Sequence, residues 1–393
     1  MNLATATEAS IGTRTLNSIH LGSNRVWRRP IWPTVAELQT GSNIYSTALS
    51  ASGAVAAVSD PLGVKVYDIS GSIFQQKGAT VNNATNVALS ASGNLLATSD
   101  PKANNFSGTV KIYEWNGDEW IQKGQTIGPT TGSRAGNSLT ISPDEQKIIF
   151  GETGSGGTGI IRTVEWNGTS WSNISQYNSP FGEYFGELGL SLSEDGSTLV
   201  APSPYSNAPK YNSGRVRVFE WSANAWTPTM DFNGTHYEQY FGRGGAIISG
   251  NKIIVGTPDY GLPNGHSVIE KIGKVSIFEK IGASWVEQTA FTGAATSIVG
   301  VTVSIRGDRI FVVSNAGGRT AGVLRIYDLT AGEWVEVVTS KIPAQNSGIS
   351  SNGLLYLGSS LKYLINGITG NSTRPFLTSN FHFLALKAQQ GNS

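Results

Sequence analysis

The chain has 393 residues, with 28 basic against 27 acidic side chains and no cysteine. This near-neutral balance forms no basic stripe, which argues against nucleic-acid binding, and the lack of cysteine excludes a disulfide framework and a cysteine-ligated metal site. No apolar stretch is long enough to cross a bilayer, so we expect no membrane insertion.

A short sequence occurs twice near the start of the chain. Ile11–Leu16 (IGTRTL) is echoed by Leu21–Val26 (LGSNRV), which leads directly into Trp27. These units resemble segments near the ends of tailed-phage structural proteins, including those of marine phages and cyanophages. The resemblance implies a β-rich arm, residues 1–31, that attaches the chain to other virion proteins. The same pattern also fits an ordinary two-strand extension packed on the main domain. The candidate anchoring residues are Leu21, Arg25, Trp27, Arg28 and Arg29.

One hairpin pattern then recurs along the chain. Its clearest copies are Val110–Trp120 and Ile161–Trp171, where alternating apolar and charged residues lead to Asn-Gly and then to tryptophan. Alternation predicts a strand with one buried face, and Asn-Gly supplies the positive φ angles of a tight turn. The tryptophan begins the return strand and can pack beside the Tyr or Phe of the first. A third copy ends at Trp226, and weaker copies end at Phe74, Trp285 and Trp334.

A second hairpin precedes each copy, and its turn contains Ser-x-x-Gly or a close variant. Each unit therefore holds four strands, A to D, and the units repeat roughly every 40–56 residues, which is the spacing of propeller blades. Seven such turns predict an all-β fold, a seven-bladed β-propeller over residues 32–393. The turns begin at Ser50, Ser90, Ser142, Ser193, Ser249, Ser304 and Ser350.

The segment Trp32–Leu38 precedes the first A strand without an A–B–C set of its own, while the last unit ends before a fourth strand. We therefore expect residues 32–40 to complete the seventh blade, because this leaves no open strand edge at the join. The alternative is that Trp32 belongs to a linker and the ring closes differently.

The blades resemble FG-GAP-type propellers. Phe185-Gly186 and Phe241-Gly242 precede A strands, and Ala201-Pro202 follows a B strand. The resemblance covers most of residues 44–386 and implies a propeller fold. FG-GAP domains often bind calcium in Asp-x-Asp-x-Asp-Gly loops, which give a hard cation several oxygens at once. No such loop occurs here, so we expect no calcium, other metal or cofactor.

Catalytic motifs are also missing from the sequence. The histidines His20, His236, His266 and His382 fall in different units without metal-ligand spacing. There is no nucleophile elbow, phosphate-binding glycine motif or HExxH. We therefore predict that the chain is not an enzyme. Paired carboxylates from distant blades could still meet in a ring, so a propeller glycan hydrolase remains an alternative.

The loops are expected to differ between the two faces of the ring. The A–B and C–D turns are short, whereas the B–C and D–A loops on the opposite face are long, and long loops on a rigid scaffold usually carry binding residues. Their tyrosines and polar groups suit stacking on sugars or docking on protein, although several tyrosines equally fit a role in pinning the loops. The candidates are Tyr184, Tyr205, Lys210, Tyr211, His236, Tyr237, Tyr260, His266 and Arg319.

These patterns predict a non-enzymatic phage virion protein, associated with tail or capsid, whose arm binds other virion proteins. Its loop face would bind a host-surface glycan or a protein, and a homo-oligomer is compatible with the pattern. The start, Met1–Gly12, lacks the pattern of a secretory signal, so we expect it to leave the cell inside a particle. A cell-surface or secreted FG-GAP-like adhesion or lectin module is the main alternative.

Overall fold

The computed structural model describes most of the chain between residues 45 and 342, together with individual strands on either side. The residues that it does not describe within that range are 71–74, 129–132, 154–156, 187, 208, 265–266, 294–296 and 317–321. Five strands precede the range, and they are β1 (Ala9–Ile11), β2 (Arg14–Leu16), β3 (Ser18–Leu21), β4 (Asn24–Arg28) and β5 (Thr34–Ala36). β1 pairs with β2 and β3 with β4, so the repeated arm sequence forms two hairpins.

Six sheets share one design, with four antiparallel strands that neighbour one another in chain order. Blade 1 contains β6 (Ser46–Leu49), β7 (Val55–Asp60), β8 (Gly63–Asp68) and β9 (Gln75–Gln76). Blade 2 contains β10 (Asn86–Leu89), β11 (Leu95–Asp100), β12 (Thr109–Trp115) and β13 (Trp120–Gln122), with a short helical element α1 (Ala103–Phe106) in its B–C loop. Blade 3 contains β14 (Ser138–Ile141), β15 (Lys147–Thr153), β16 (Gly159–Trp166) and β17 (Trp171–Asn178).

The next three blades follow the same order. Blade 4 contains β18 (Ser191–Leu192), β19 (Thr198–Ser203), β20 (Arg215–Ser222) and β21 (Ala225–Asn233). Blade 5 contains β22 (Ala246–Ser249), β23 (Lys252–Thr257), β26 (Lys274–Ile281) and β27 (Ser284–Thr292), and its B–C loop carries the hairpin β24 (Gly261–Asn264) and β25 (Ser267–Lys271). Blade 6 contains β28 (Ser297–Arg306), β29 (Arg309–Ala316), β30 (Gly322–Thr330) and β31 (Glu333–Ile342).

The prediction of seven blades is wrong, because the structure has six four-stranded blades. The remaining strands form a five-stranded mixed sheet in which β34 and β35 run parallel. β5 pairs with β35, but as part of this mixed sheet and not as the fourth strand of an antiparallel blade. The turn counted at Ser350 lies outside the described residues, and the sequence after it contains no tryptophan. The sheet's other strands are β32 (Gly348–Ile349), β33 (Leu355–Leu357), β34 (Lys362–Ile365) and β35 (Phe383–Leu386).

The hydrophobic core lies between neighbouring blades. Each buried cluster combines residues of two adjacent blades, as where Val66 of blade 1 packs with Leu96 and Trp120 of blade 2. Blades 2 and 3 share a second such cluster, and blades 3 and 4 share a third. Because a single four-stranded sheet leaves a large apolar face open, each blade depends on its neighbour for burial.

The Ser-x-x-Gly turns owe their sequence to two local requirements. The serine hydroxyl accepts a hydrogen bond from the backbone N–H five residues later, at 3.0 Å from Leu95 N to Ser90 Oγ and 2.9 Å from Thr198 N to Ser193 Oγ. The glycine has a positive φ angle, 75° at Gly93, which side chains with a Cβ adopt at a cost. The repeat therefore records the geometry of the turn between strands A and B.

The tryptophans of the C–D hairpins join one blade to the next. Trp115 and Trp120 pack with ring centroids 5.4 Å apart. The predicted partner across the turn was Tyr113, whose partner in the strand register is Gln122. The indole Nε1 of Trp120 also donates to the Lys77 carbonyl of blade 1 at 2.8 Å, and Trp171 donates to the Lys123 carbonyl of blade 2 at 2.8 Å. The hairpin pattern predicted an aromatic contact across the turn but not Trp115 as the partner, and it gave no signal for the hydrogen bonds to the preceding blade.

Candidate functional site

Two D–A loops place a tyrosine at the loop face through the same three-residue sequence, Tyr-Phe-Gly. In the second of these loops, Phe241 is buried and forms a parallel bridge with Gly214 at the start of strand β20. In the first, a Cβ at Gly159 would lie 2.1 Å from the carbonyl oxygen of Phe185, so the backbone approach there also requires glycine. The phenylalanines anchor both loops and hold the preceding tyrosines at the surface.

These tyrosines have left-handed backbone conformations. φ is 48° at Tyr184 and 50° at Tyr240, a region that bulky side chains rarely occupy. Such strain costs of order 1–3 kcal/mol and collects at functional sites. The repeated strained geometry fixes where both rings lie.

Tyr205 lies between the two loops, in the B–C loop of blade 4. Its ring centroid is 6.0 Å from that of Tyr184 and 5.7 Å from that of Tyr240, edge to face in both cases. All three side chains are partly exposed. We call Tyr184, Tyr205 and Tyr240 the tyrosine row.

Polar and charged groups border the tyrosine row on the blade 5 side. The guanidinium of Arg243 lies 5.3 Å from the Tyr240 ring and is paired with Asp259 at 2.9 Å. Lys271 binds the same carboxylate at 2.5 Å, so two cations share one anion. Asn212 Nδ2 donates to the Tyr240 hydroxyl at 3.3 Å. The border therefore offers several hydrogen-bonding groups and a local excess of positive charge.

A buried ion network supports the row from below. Arg217 donates to both oxygens of Asp231, at 2.5 and 2.7 Å, and to the Tyr177 hydroxyl at 2.6 Å. Burial acts to lower the pKa of Arg217, but the hydrogen bond and charge of Asp231, with Tyr177 and Glu183, raise it above its usual value. Glu183 precedes Tyr184 directly and accepts a hydrogen bond from Arg215. The network thus fixes the loop that carries Tyr184.

The remaining predicted binding residues scatter around this centre. Lys210 lies 5.7 Å from the Tyr237 ring, and His236 contacts the Thr235 hydroxyl through Nδ1 at 2.9 Å. Tyr211 is 58% exposed. In blade 5, the Lys274 ammonium lies 5.7 Å from the centroid of the Tyr260 ring.

Some predicted positions cannot be assessed. His266, Arg319 and Arg29 lie outside the described residues, as do the side chains of Leu21, Arg25, Trp27 and Arg28 in the arm strands β3 and β4. The anchoring role of the arm therefore stays a prediction.

Sequence reasoning missed Tyr240, Arg243 and Asn212. A signal for Tyr240 was present, because Glu-Tyr-Phe-Gly at residues 183–186 is matched by Gln-Tyr-Phe-Gly at 239–242. Arg243 and Asn212 carry no comparable signal, since their roles depend on the loop geometry alone.

A cavity of about 170 Å³ opens on the A–B turn side of the ring, and residues of blades 1, 3, 4, 5 and 6 line it. Arg306 Nη2 donates across it from blade 6 to the Ala51 carbonyl of blade 1 at 2.8 Å. Burial lowers the pKa of Arg306, which nearby Glu194 partly offsets. Arg306 thereby ties the last described blade to the first.

Among the described residues, no group of three or more His, Asp or Glu side chains is placed to hold a metal ion. No helix in that part of the chain is both long and apolar enough to span a membrane.

No family model matches the chain. A curated protein, TonB-dependent receptor P26 of Formosa agariphila, is 25% identical over 184 residues, covering 46% of this chain. The match spans only 18% of that receptor's length.

Among solved structures, hydrazine synthase of Kuenenia stuttgartiensis superposes with a TM-score of 0.52 at 13% identity. The match covers 81% of this chain and 93% of the other. At this identity the likeness concerns the fold alone, and it agrees with the β-propeller observed here.

Proposed function

We propose that the chain is a non-enzymatic binding module whose tyrosine row takes a glycan. The observation that carries this proposal is the row itself, three partly exposed rings held side by side by strained, anchored loops. Tyrosine offers a flat apolar face for a sugar ring and a hydroxyl for its hydrogen bonds. Rigid aromatic side chains also lose little entropy on binding.

The border of the row adds the polar groups that a sugar needs. Arg243 and Asn212 present N–H donors beside Tyr240. Binding sites generally combine an aromatic surface with a few placed polar groups of this kind. The two cations around Asp259 favour a glycan that carries carboxylate or sulfate groups over a neutral one.

The setting we propose is a phage particle, in which residues 1–31 attach the propeller to other virion proteins. This part rests on the repeated Ile/Leu-Gly sequence of the arm. A cell-surface binding module is the second candidate, and the partial match with a TonB-dependent receptor favours it. The arm separates the two, because removal of residues 1–31 should abolish incorporation into particles only in the first setting.

The test is a glycan array probed with the full chain, followed by titration of the bound oligosaccharide. Tyr205→Ala should weaken binding about tenfold or more, which corresponds to 1.4 kcal/mol, whereas Tyr205→Phe should retain most of the affinity. Tyr45→Ala is the matched control, because Tyr45 is an exposed tyrosine of blade 1, 53% exposed and remote in sequence from the row. Equal losses for Tyr205→Ala and Tyr45→Ala, or no glycan bound by the folded chain, would contradict the proposal.

A further inference from the structure

The grooves between blades on the turn side share a residue position. It is the third residue after the aromatic that opens each D strand, and it is Lys77 in blade 1, Lys123 in blade 2 and Ile174 in blade 3. The backbone hydrogen bonds are equivalent at the two lysines. The Lys77 N–H donates to the Val66 carbonyl at 2.7 Å, and the Lys123 N–H donates to the Ile112 carbonyl at 2.8 Å. The side chain at this position reaches toward the tryptophans of the following blade.

In the groove between blades 1 and 2 the lysine is held by aromatic faces and oxygens. Lys77 Nζ lies 4.9 Å from the Trp115 ring and 5.4 Å from the Trp120 ring. It donates to the Gly93 carbonyl at 3.1 Å and to Asn94 Oδ1 at 2.9 Å. A cation over an aromatic face is attracted by the ring quadrupole, and the turn oxygens replace its water.

Two further grooves contain an ammonium group as well. Lys123 Nζ lies 5.3 Å from the Trp166 ring, between blades 2 and 3, and 2.8 Å from Glu114. Between blades 4 and 5 the cation comes from another position, since Lys280 Nζ lies 5.9 Å from the Trp285 ring. A lysine therefore lies beside the tryptophans in three grooves, and it comes from two different positions in the blade.

The groove between blades 3 and 4 lacks this lysine, because the position is Ile174. The Trp221 and Trp226 rings remain, with centroids 4.8 Å apart, and they line a groove of about 220 Å³. Gly196 and Ser197 line it too, and they are the counterparts of Gly93 and Asn94 in the turn sequence. Among the described residues, no lysine or arginine lies over either tryptophan ring.

The charge of this groove favours a cation. Its lining includes Asp144 and Asp195, and hydrogen bonds from Ser193 and Ser197 lower the pKa of Asp195. The single lysine of the lining, Lys147, is paired with Asp144 at 3.0 Å and with Glu165 outside the groove at 3.1 Å. The carboxylates therefore outnumber the cation at neutral pH.

We propose that the groove between blades 3 and 4 binds the alkylammonium end of a lysine side chain supplied by another molecule. The ammonium would take the place that Lys77 and Lys123 fill in the two preceding grooves. The site is built from the A–B turns and C–D hairpins, whereas the tyrosine row is built from the B–C and D–A loops. The two binding proposals are therefore independent.

The test uses the full chain labelled with 5-fluorotryptophan, whose ten tryptophans are followed by fluorine NMR, with Trp221→Phe assigning one signal. Titration with Nα-acetyl-lysinamide should shift the signals of Trp221 and Trp226 in a saturable way. Nα-acetyl-norleucinamide, which is similar in shape but uncharged, should shift them at least about tenfold more weakly.

Two reciprocal variants complete the test. Ile174→Lys supplies the missing side chain and should abolish the response at Trp221, and Lys123→Ile should create a new response at Trp166. The proposal is overturned if the two ligands act equally, if Ile174→Lys leaves the response unchanged, or if no signal moves. If Ile174→Lys does not fold, the new response expected for Lys123→Ile decides alone, and its absence overturns the proposal.

Discussion

The two faces of the propeller differ in how far their residues repeat from blade to blade. On the turn side, the serines of blades 1, 2 and 4 accept the same backbone hydrogen bond, and Trp120 and Trp171 donate the same hydrogen bond to the preceding blade. On the loop side, Tyr-Phe-Gly occurs in two D–A loops, and the B–C loops range from the two residues between β7 and β8 to the β24–β25 hairpin. The repeated residues of the turn side therefore hold the blades together, while the loop side varies from blade to blade and carries the tyrosine row.

The largest effect expected on this division is at a blade junction. Trp171 is 4% exposed and joins blade 3 to blade 2 through its indole N–H. Trp171→Ala should lower the free energy of unfolding by about 3–5 kcal/mol, as large aromatic truncations in cores do. Trp171→Phe, which keeps a ring but loses the hydrogen bond, should cost clearly less. Urea denaturation measures both, and equal small losses would show that the junction does not carry the stability.

The ion network around Arg217 is an exception to this division, because it contributes stability on the loop side. Arg217→Met removes one of the two cations that pair with Asp231 and Glu183, since Arg215 also pairs with both carboxylates. We expect a loss of about 2–3 kcal/mol, below the value for a fully buried pair because Asp231 is partly exposed. The double variant with Asp231→Asn should recover part of this loss. If Arg217→Met is as stable as the unmodified chain in the same denaturation experiment, the network does not support the loop.

The serine of the A–B turn should give a smaller effect that repeats from blade to blade. Ser90→Ala removes the acceptor for the Leu95 N–H in a buried turn, and we expect a cost of about 1–2 kcal/mol. Ser193→Ala should cost a similar amount, because the bond is the same. Widely different values in thermal or chemical unfolding would mean that the repeated sequence does not reflect a repeated energetic role.

Acid should reveal a still smaller contribution from the same turns. The Ser193 hydroxyl and the Ser197 N–H lower the pKa of Asp195 below its usual value of 3.8. A carboxyl group that is more acidic in the folded chain stabilises it fully above the unfolded pKa and loses this effect as pH falls through the folded pKa. Asp195→Asn should therefore show a shallower loss of stability below pH 3.8. The measurement is the free energy of unfolding as a function of pH. The same decrease with falling pH in Asp195→Asn and in the unmodified chain would contradict this expectation.

The smallest effect on stability is expected at the loop-face surface. Tyr211 is 58% exposed, so Tyr211→Ala should change the free energy of unfolding by less than about 0.5 kcal/mol. Glycan affinity measured on the same preparation should fall more than stability does. A large loss of stability would instead assign Tyr211 to pinning its loop.

The sequence predicted the features that repeat. Four-stranded blades, Ser-x-x-Gly turns and C–D hairpins could be predicted because each copy obeys the same local geometry. The blade number could not, since the turn at Ser350 looks like the others while the strands after it form a mixed sheet. The Arg217 network joins strands and loops through three-dimensional proximity, so no spacing in the chain announces it. Tyr184 and Tyr205 were both named as loop-face candidates, but their contact with each other depends on a loop conformation that composition does not encode.

The most direct measurement is a crystal structure of the full chain with the oligosaccharide that binds most strongly on a glycan array. We expect a sugar ring to lie against Tyr205 and Tyr240, with its polar groups directed toward Arg243 and Asn212. A sugar bound on the turn side, or in the cavity beside Arg306, would contradict the assignment of binding to the loop face.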